Sequence, residues 1–183
     1  MINDMQKDFS EILITEEQIK ARIKEMAAEI SAEYAGKHPV FVGVLRGIVI
    51  FFADFIREFT DHCQIDFMCV STYRGTQSTG ECILTKDVRV ELRDRHVIIL
   101  EDIFDTGKSL DFTYHYLLTK KPASLKIVTL LDKPARRKPW VTVVPDIVGF
   151  TVEDKFLVGY GLDYNEHYRN LPYIAALKPE VYE

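Results

Sequence analysis

Strands alternating with helices along the chain predict an α/β fold, a mainly parallel twisted sheet covered by helices on both faces. Three apolar runs carry the prediction. VFVGVL at 40–45, VIIL at 97–100 and LKIVTLL at 125–131 are short, continuous and rich in β-branched residues, the pattern of strands buried on both sides. The first run is broken by Arg46-Gly47, after which apolar residues at 48, 51, 52, 55, 56 and 59 follow a helical spacing. After the second comes a polar stretch, 101–108, and then a helix from Ser109 on which Leu110, Tyr114, Leu117 and Leu118 share a face.

The remaining elements fit around that frame. Between Thr15 and Tyr34, Ile19, Ile23, Met26, Ala27 and Ile30 lie on one helical face, and Thr15 with Gln18 makes a capping box, so a covering helix is expected. Residues 64–71 and 83–90 read as two strands joined by a polar loop at 72–81, rich in hydroxyls and glycine. After Pro145, the apolar runs 147–150 and 156–160 suggest a small accessory layer near the sheet's edge. With no internal repeat, low-complexity tract or linker, residues 1–183 are expected to form one domain.

Composition narrows the function classes. At 183 residues and 47% hydrophobic, the chain can bury a full core. Lysine and arginine number 23 against 28 acidic residues, so no overall positive field draws it to nucleic acid or an anionic membrane, and an anionic ligand must be held locally. The first residues lack a basic stretch followed by an apolar run, and nothing approaches the roughly 20 apolar residues that span a bilayer. A cytoplasmic protein is expected. Cys63, Cys69 and Cys82 are odd in number and show no C-x-x-C spacing, which argues against a disulfide framework or a zinc site.

In a sheet of this kind ligands lie beyond the carboxyl ends of the strands, which directs attention to VIILEDIFDTGKSL at 97–110. The strand delivers Glu101 and Asp102, adjacent carboxylates that repel each other and are costly to bury unpaired. Vicinal ribose hydroxyls or a bound divalent cation would each offset that cost. Asp105, Thr106, Gly107, Lys108 and Ser109 then lead into a helix, where backbone N–H groups and hydroxyls can surround a phosphate at the positive end of the helix dipole. A phosphate at one end and a diol in the middle describe a ribose 5-phosphate. The plain alternative makes Glu101 and Asp102 solvated loop charges and Thr106 or Ser109 a helix N-cap. A Walker-type loop is excluded at position 102, where it needs glycine and Asp102 stands.

The segment 97–110 resembles the phosphoribosyl pyrophosphate signature of the type I phosphoribosyltransferases. With LRG at 45–47, LLDK at 130–133 and DKFLVGYGLDYNEHYRNLPYI at 154–174, the chain is similar to the hypoxanthine-guanine branch from Val40 onward. The resemblance implies a small hood built from the N- and C-terminal segments and a mobile lid loop over the sheet. It makes Leu45, Arg46 and Gly47 a pyrophosphate loop, often across a cis peptide, and Thr72 and Tyr73 the hydroxyl-aromatic pair of the lid. Glu101, Asp102, Asp105, Thr106, Gly107, Lys108 and Ser109 become the phosphoribosyl site. Lys133 would donate to the purine 6-oxo group, Phe156 would stack on the ring, and the backbone of Leu157 would read its edge. Asp163 would reach a magnesium shell shared with Glu101 and Asp102, and lies with the purine-binding residues. Arg169 would meet the pyrophosphate, and Asp105 is the candidate acid/base near N7.

The implied reaction is Mg2+-dependent transfer of a 5-phosphoribosyl group from phosphoribosyl pyrophosphate to hypoxanthine or guanine by a homodimer or homotetramer. Two alternatives remain open. One is an enzyme for another 6-oxopurine, such as xanthine, since Lys133 and Phe156 do not rank these bases. The other is a phosphoribosyl-pyrophosphate-sensing nucleic-acid-binding regulator of the same fold, against which the acidic balance argues.

Overall fold

The computed structural model describes residues 5–72 and 82–182. In order, its main elements are β1 (Phe9–Ile14), α1 (Glu16–Glu33), β2 (Val40–Leu45), α2 (Val49–Glu58), β3 (Gln64–Thr72), β4 (Cys82–Lys86), β5 (His96–Phe104), α3 (Lys108–Thr119), β6 (Ser124–Asp132), β7 (Ile147–Thr151), β8 (Leu157–Val158), β9 (Ile174–Leu177) and α4 (Pro179–Tyr182). Tyr73 and the rest of the expected lid loop lie outside the described residues, as does the side chain of Thr72.

Six strands form one sheet in the order β4-β3-β2-β5-β6-β7. All its neighbours are parallel except β3 and β4, so the α/β class read from the three apolar runs holds. Each central strand feeds two cores by alternation. Phe41, Ile98, Leu100 and Val128 pack with α1 and α2, while Val40, Val42, Val97, Ile99 and Ile127 face Leu110 and Leu117 of α3. Close approach accompanies this packing: a Cβ at Gly43 would lie 2.8 Å from the Phe52 ring. The α1 cap forms as its residues dictate, with Gln18 N–H donating to Thr15 Oγ1 at 3.3 Å and Thr15 N–H donating to Gln18 Oε1 at 2.9 Å.

A separate three-stranded antiparallel sheet, β1-β9-β8, joins the two ends of the described chain. Leu157, Tyr160, Leu162, Ile174 and Ala176 belong to the main core, while Phe9, Val158, Leu171, Ala175 and Leu177 cluster on their own. Neither β1 nor β9 announces itself in the sequence. Strand β1 buries only Phe9 and Ile14, and register shifts interrupt its pairing, so its residues show no period of two. In β9 two alanines sit in a run buried at every position, which strand and helix accommodate equally.

Four boundaries differ from the sequence reading. Strand β5 runs on to Phe104, so Glu101 and Asp102 stand inside it rather than in a loop after Leu100, because parallel pairing with β6 continues through Glu101, Ile103 and Phe104. Residues 147–151 join the main sheet beside β6 instead of an accessory layer, since their N–H and C=O groups find partners there. The strand expected over 83–90 stops at Lys86, where Asp66 captures the N–H groups of Arg89 and Val90. Helix α3 starts at Lys108, one residue early.

Candidate active site

Chain order reverses between β2 and β5: β3 lies on one side of this pair and β6 on the other. In open α/β sheets the crevice beyond such a switch point is where ligands bind. Here it is bounded by the loop after β2 and the last residues of β5. The Leu45–Arg46 peptide is cis, and Gly47 brings its backbone against the Asp102 carboxylate, since a Cβ at Gly47 would lie 1.8 Å from Asp102 Oδ2. On its other side Gly47 meets the turn at 159–162, where a Cβ at Gly161 would stand 2.0 Å from the Gly47 carbonyl oxygen. That turn is anchored from below, the Tyr160 hydroxyl donating to Asp54 Oδ2 of α2 at 2.5 Å.

The two carboxylates of β5 have different surroundings. Glu101 is buried, its Oε2 has no hydrogen-bond partner, and burial beside Asp102 pushes its carboxyl well above the usual range. It is not the solvated loop charge of the plain alternative. Asp102 faces the crevice; burial pushes its carboxyl up to about 6, with N–H donors and Arg169 pulling down and Asp163 adding to the rise. Downstream, Gly107 occupies the N-cap of α3 with φ +84°, and no side chain caps the helix. Neither Thr106 nor Ser109 therefore serves as a side-chain N-cap, and the first turn keeps backbone donors for an anion.

A cavity of about 340 Å³ brings Gly47, Asp102, Asp105, Lys133, Phe156, Leu157, Asp163 and Arg169 together. Lys133 is almost wholly buried; its N–H donates to the Phe104 carbonyl at 3.0 Å, and its ammonium donates to the Lys155 carbonyl at 2.8 Å and lies 3.7 Å from Asp154. Phe156 is half-buried, with the Tyr182 ring stacked at 4.9 Å and Tyr164 edge-on at 5.5 Å. Asp105 has one oxygen buried without a hydrogen-bond partner, 3.5 Å from Nε of Arg136. Asp163 pairs with Arg169 at 2.9 Å, and Arg169 also donates to the Gly161 carbonyl at 2.7 Å.

Leu45, Arg46, Glu101, Thr106, Gly107, Lys108 and Ser109 do not line this cavity. Among the described residues, no three acidic, histidine or cysteine side chains converge as a metal-ligand group, so Glu101, Asp102 and Asp163 are not assembled into one. Ile103, Arg136 and Leu162 do line it and escaped the sequence reading. The run PARR after Lys133 was the available signal for Arg136; Ile103 and Leu162 look like ordinary core in sequence. A groove of similar size between α1 and α2 is lined by Lys20, Lys24, Asp54 and Arg57, with Lys20 paired to Glu16 and Arg57 to Asp54, and holds none of the expected site residues.

Residues 10–165 match the family model described as the phosphoribosyl transferase domain. The hypoxanthine-guanine phosphoribosyltransferase of Bacillus subtilis is 46% identical over 180 residues, which is 98% of this chain and 99% of that protein. The chain belongs to the phosphoribosyltransferase family, in its hypoxanthine-guanine branch. A hypoxanthine phosphoribosyltransferase structure from Staphylococcus aureus matches with a TM-score of 0.92 and 48% identity, covering 98% of this phosphoribosyltransferase chain and 97% of the other. The bifunctional protein TilS/HprT of Listeria innocua is 45% identical over 179 residues, and this chain spans 27% of that protein's length.

Proposed function

We propose that this chain transfers the 5-phosphoribosyl group of phosphoribosyl pyrophosphate to N9 of hypoxanthine or guanine, giving IMP or GMP and pyrophosphate, a purine-salvage reaction. The carrying observation is one cavity walled by Asp102 against Gly47, by Asp105, and by Lys133 with Phe156 and Leu157. The uncapped first turn of α3, from Thr106 to Ser109, suits the 5-phosphate. Asp102, with Glu101 behind it, suits the ribose hydroxyls.

The buried Lys133 ammonium is a donor held in place by the Lys155 carbonyl. It suits the 6-oxo group of the base and rejects adenine, whose 6-amino group would leave two donors facing each other. Phe156 offers a ring backed by Tyr182 for stacking, and Leu157 its backbone for the ring edge. Asp105 accepts the proton released near N7 as N9 attacks C1. Arg46 and Arg169 receive the pyrophosphate, while Thr72 and Tyr73 belong to the lid that excludes water from the oxocarbenium-like transition state.

The acidic side chains fit a magnesium ion. Asp102 ionises reluctantly, with Asp163 adding to the rise, so a cation is favoured there; one or two carboxylates plus substrate oxygens are this ion's usual ligands. Asp102 and Asp163, which both line the cavity, would hold it, with Glu101 buried behind Asp102 rather than in the ligand set, and when bound it would neutralise charge on the departing diphosphate. No helix among the described residues is long and apolar enough to cross a membrane. A cytoplasmic homodimer or homotetramer is part of this proposal.

An absorbance assay with phosphoribosyl pyrophosphate, Mg2+ and each base tests the reading. Turnover of hypoxanthine or guanine and none of adenine is expected, and the relative rates with xanthine rank the 6-oxopurines. Absence of turnover with all of these bases would refute it, and tight, salt-sensitive nucleic-acid binding in that case would favour the regulator.

A further inference from the structure

Beside the cavity stands a carboxylate to which the reaction gives no part. Glu166 Oε1 accepts a hydrogen bond from Arg46 at 2.6 Å, and its Oε2 lies 3.3 Å from Arg169. Its backbone N–H donates to Asp163 Oδ2 at 2.9 Å, while Asp163 Oδ1 pairs with Arg169. One side chain therefore bridges the loop after β2 to the segment before β9, and it does so through the two guanidinium groups assigned to the pyrophosphate. Guanidinium donors take carboxylate and phosphate oxygens in the same geometry, so the two anions compete for them. Arg46 and Arg169 carry two positive charges, Asp163 and Glu166 two negative ones, and the cluster is neutral when empty.

We propose that Glu166 is an internal stand-in for pyrophosphate. It holds Arg46 and Arg169 in the absence of substrate, is displaced when the diphosphate of phosphoribosyl pyrophosphate arrives, and reclaims the arginines as the diphosphate product leaves. The inference rests on the reading of these arginines as pyrophosphate-binding residues. Two features make the exchange feasible. The Arg46 and Glu166 side chains are 70% and 57% exposed, so their contact is weak and easily traded. Glu166 also lines an open groove of about 580 Å³ with His167, Tyr168 and Asn170, which can receive the displaced carboxylate. The consequence is a site that binds diphosphate less tightly than its arginines would allow, and so releases it faster.

Calorimetric titration with inorganic pyrophosphate plus Mg2+, and separately with IMP, tests this on the full chain and on Glu166→Gln. Removing the charge should tighten pyrophosphate binding by about twofold to fivefold, the scale of an exposed ion pair, and leave IMP affinity unchanged. Glu166→Gly, which suits the left-handed backbone at this position (φ +66°), should shift in the same direction. In an Arg46→Gln background the gain from Glu166→Gln should shrink, because one of the competed donors is gone. Equal or weaker pyrophosphate binding in both Glu166 variants, with IMP still bound, would overturn the stand-in. Failure of the unmodified chain to bind either ligand would instead overturn the proposed function beneath it.

Discussion

At the scale of single residues, the site depends on missing atoms as much as on charged ones. Gly47 lets the chain pass between the Asp102 carboxylate and the 159–162 turn; any Cβ there would stand inside Asp102. Gly47→Ala should therefore fold, since the loop can move outward, but lose more than about tenfold in kcat/KM for phosphoribosyl pyrophosphate as the loop leaves its productive position. Steady-state kinetics with the base held saturating measures it. Asp105 lines the cavity, and its Oδ1, 3.5 Å from Arg136 Nε, accepts no hydrogen bond, which leaves it open to a proton donor. Asp105→Asn should lower kcat by about 10²-fold or more with IMP affinity retained, and near-normal turnover would remove the base from the mechanism.

Elements are held by local polar bonds that can be tested by stability alone. The Thr15 cap on α1 is solvent-exposed but reciprocal, and Thr15→Ala should cost about 1 kcal/mol in urea unfolding. Asp66 of β3 does more. Burial disfavours its charge, yet N–H groups of Val90, Arg89 and Phe67 and the nearby Lys86 ammonium outweigh this and hold the carboxyl below its usual range. A lowered folded-state value means stability that is present at neutral pH and lost as pH falls through that value, where the folded chain must take up a proton. Asp66→Asn should then be less stable by roughly 2 kcal/mol at pH 7, with the gap to the parent closing below about pH 4. Equal pH profiles for the two chains would show that the contacts contribute nothing through charge.

Across the whole molecule, two sheets divide the labour. The six-stranded sheet carries the Arg46-Gly47 loop, Glu101, Asp102 and the α3 N-terminus, while β8 of the smaller sheet carries Leu157 next to Phe156. That smaller sheet is closed by β1 pairing with β9. A chain lacking residues 1–14 would leave β8 and β9 as a two-stranded ribbon, which is marginal by itself. KM for the base should rise several-fold while KM for phosphoribosyl pyrophosphate changes little; equal rises in both would show that the sheets do not act separately.

Local chemistry explains what was legible in the sequence. Runs buried on both faces identified β2, β5 and β6, and a strand followed by acidic residues, glycine and a helix start located Asp102 and the turn that opens α3, because each signal is complete within a few neighbouring residues. The same holds for the α1 capping box. Strands β1 and β9 could not be read this way, since one is irregular and the other rich in alanine, and each becomes a strand only by pairing with a segment from the far end of the chain. Tertiary structure alone decided that Glu101 is buried while Asp102 faces the cavity, that Arg136 stands beside Asp105, and that Glu166 spans Arg46 and Arg169. The Asp105–Arg136 and Arg46–Glu166 contacts join residues far apart in sequence, and burial separates even the adjacent Glu101 and Asp102, so tertiary packing, not residue type, sets which charges meet.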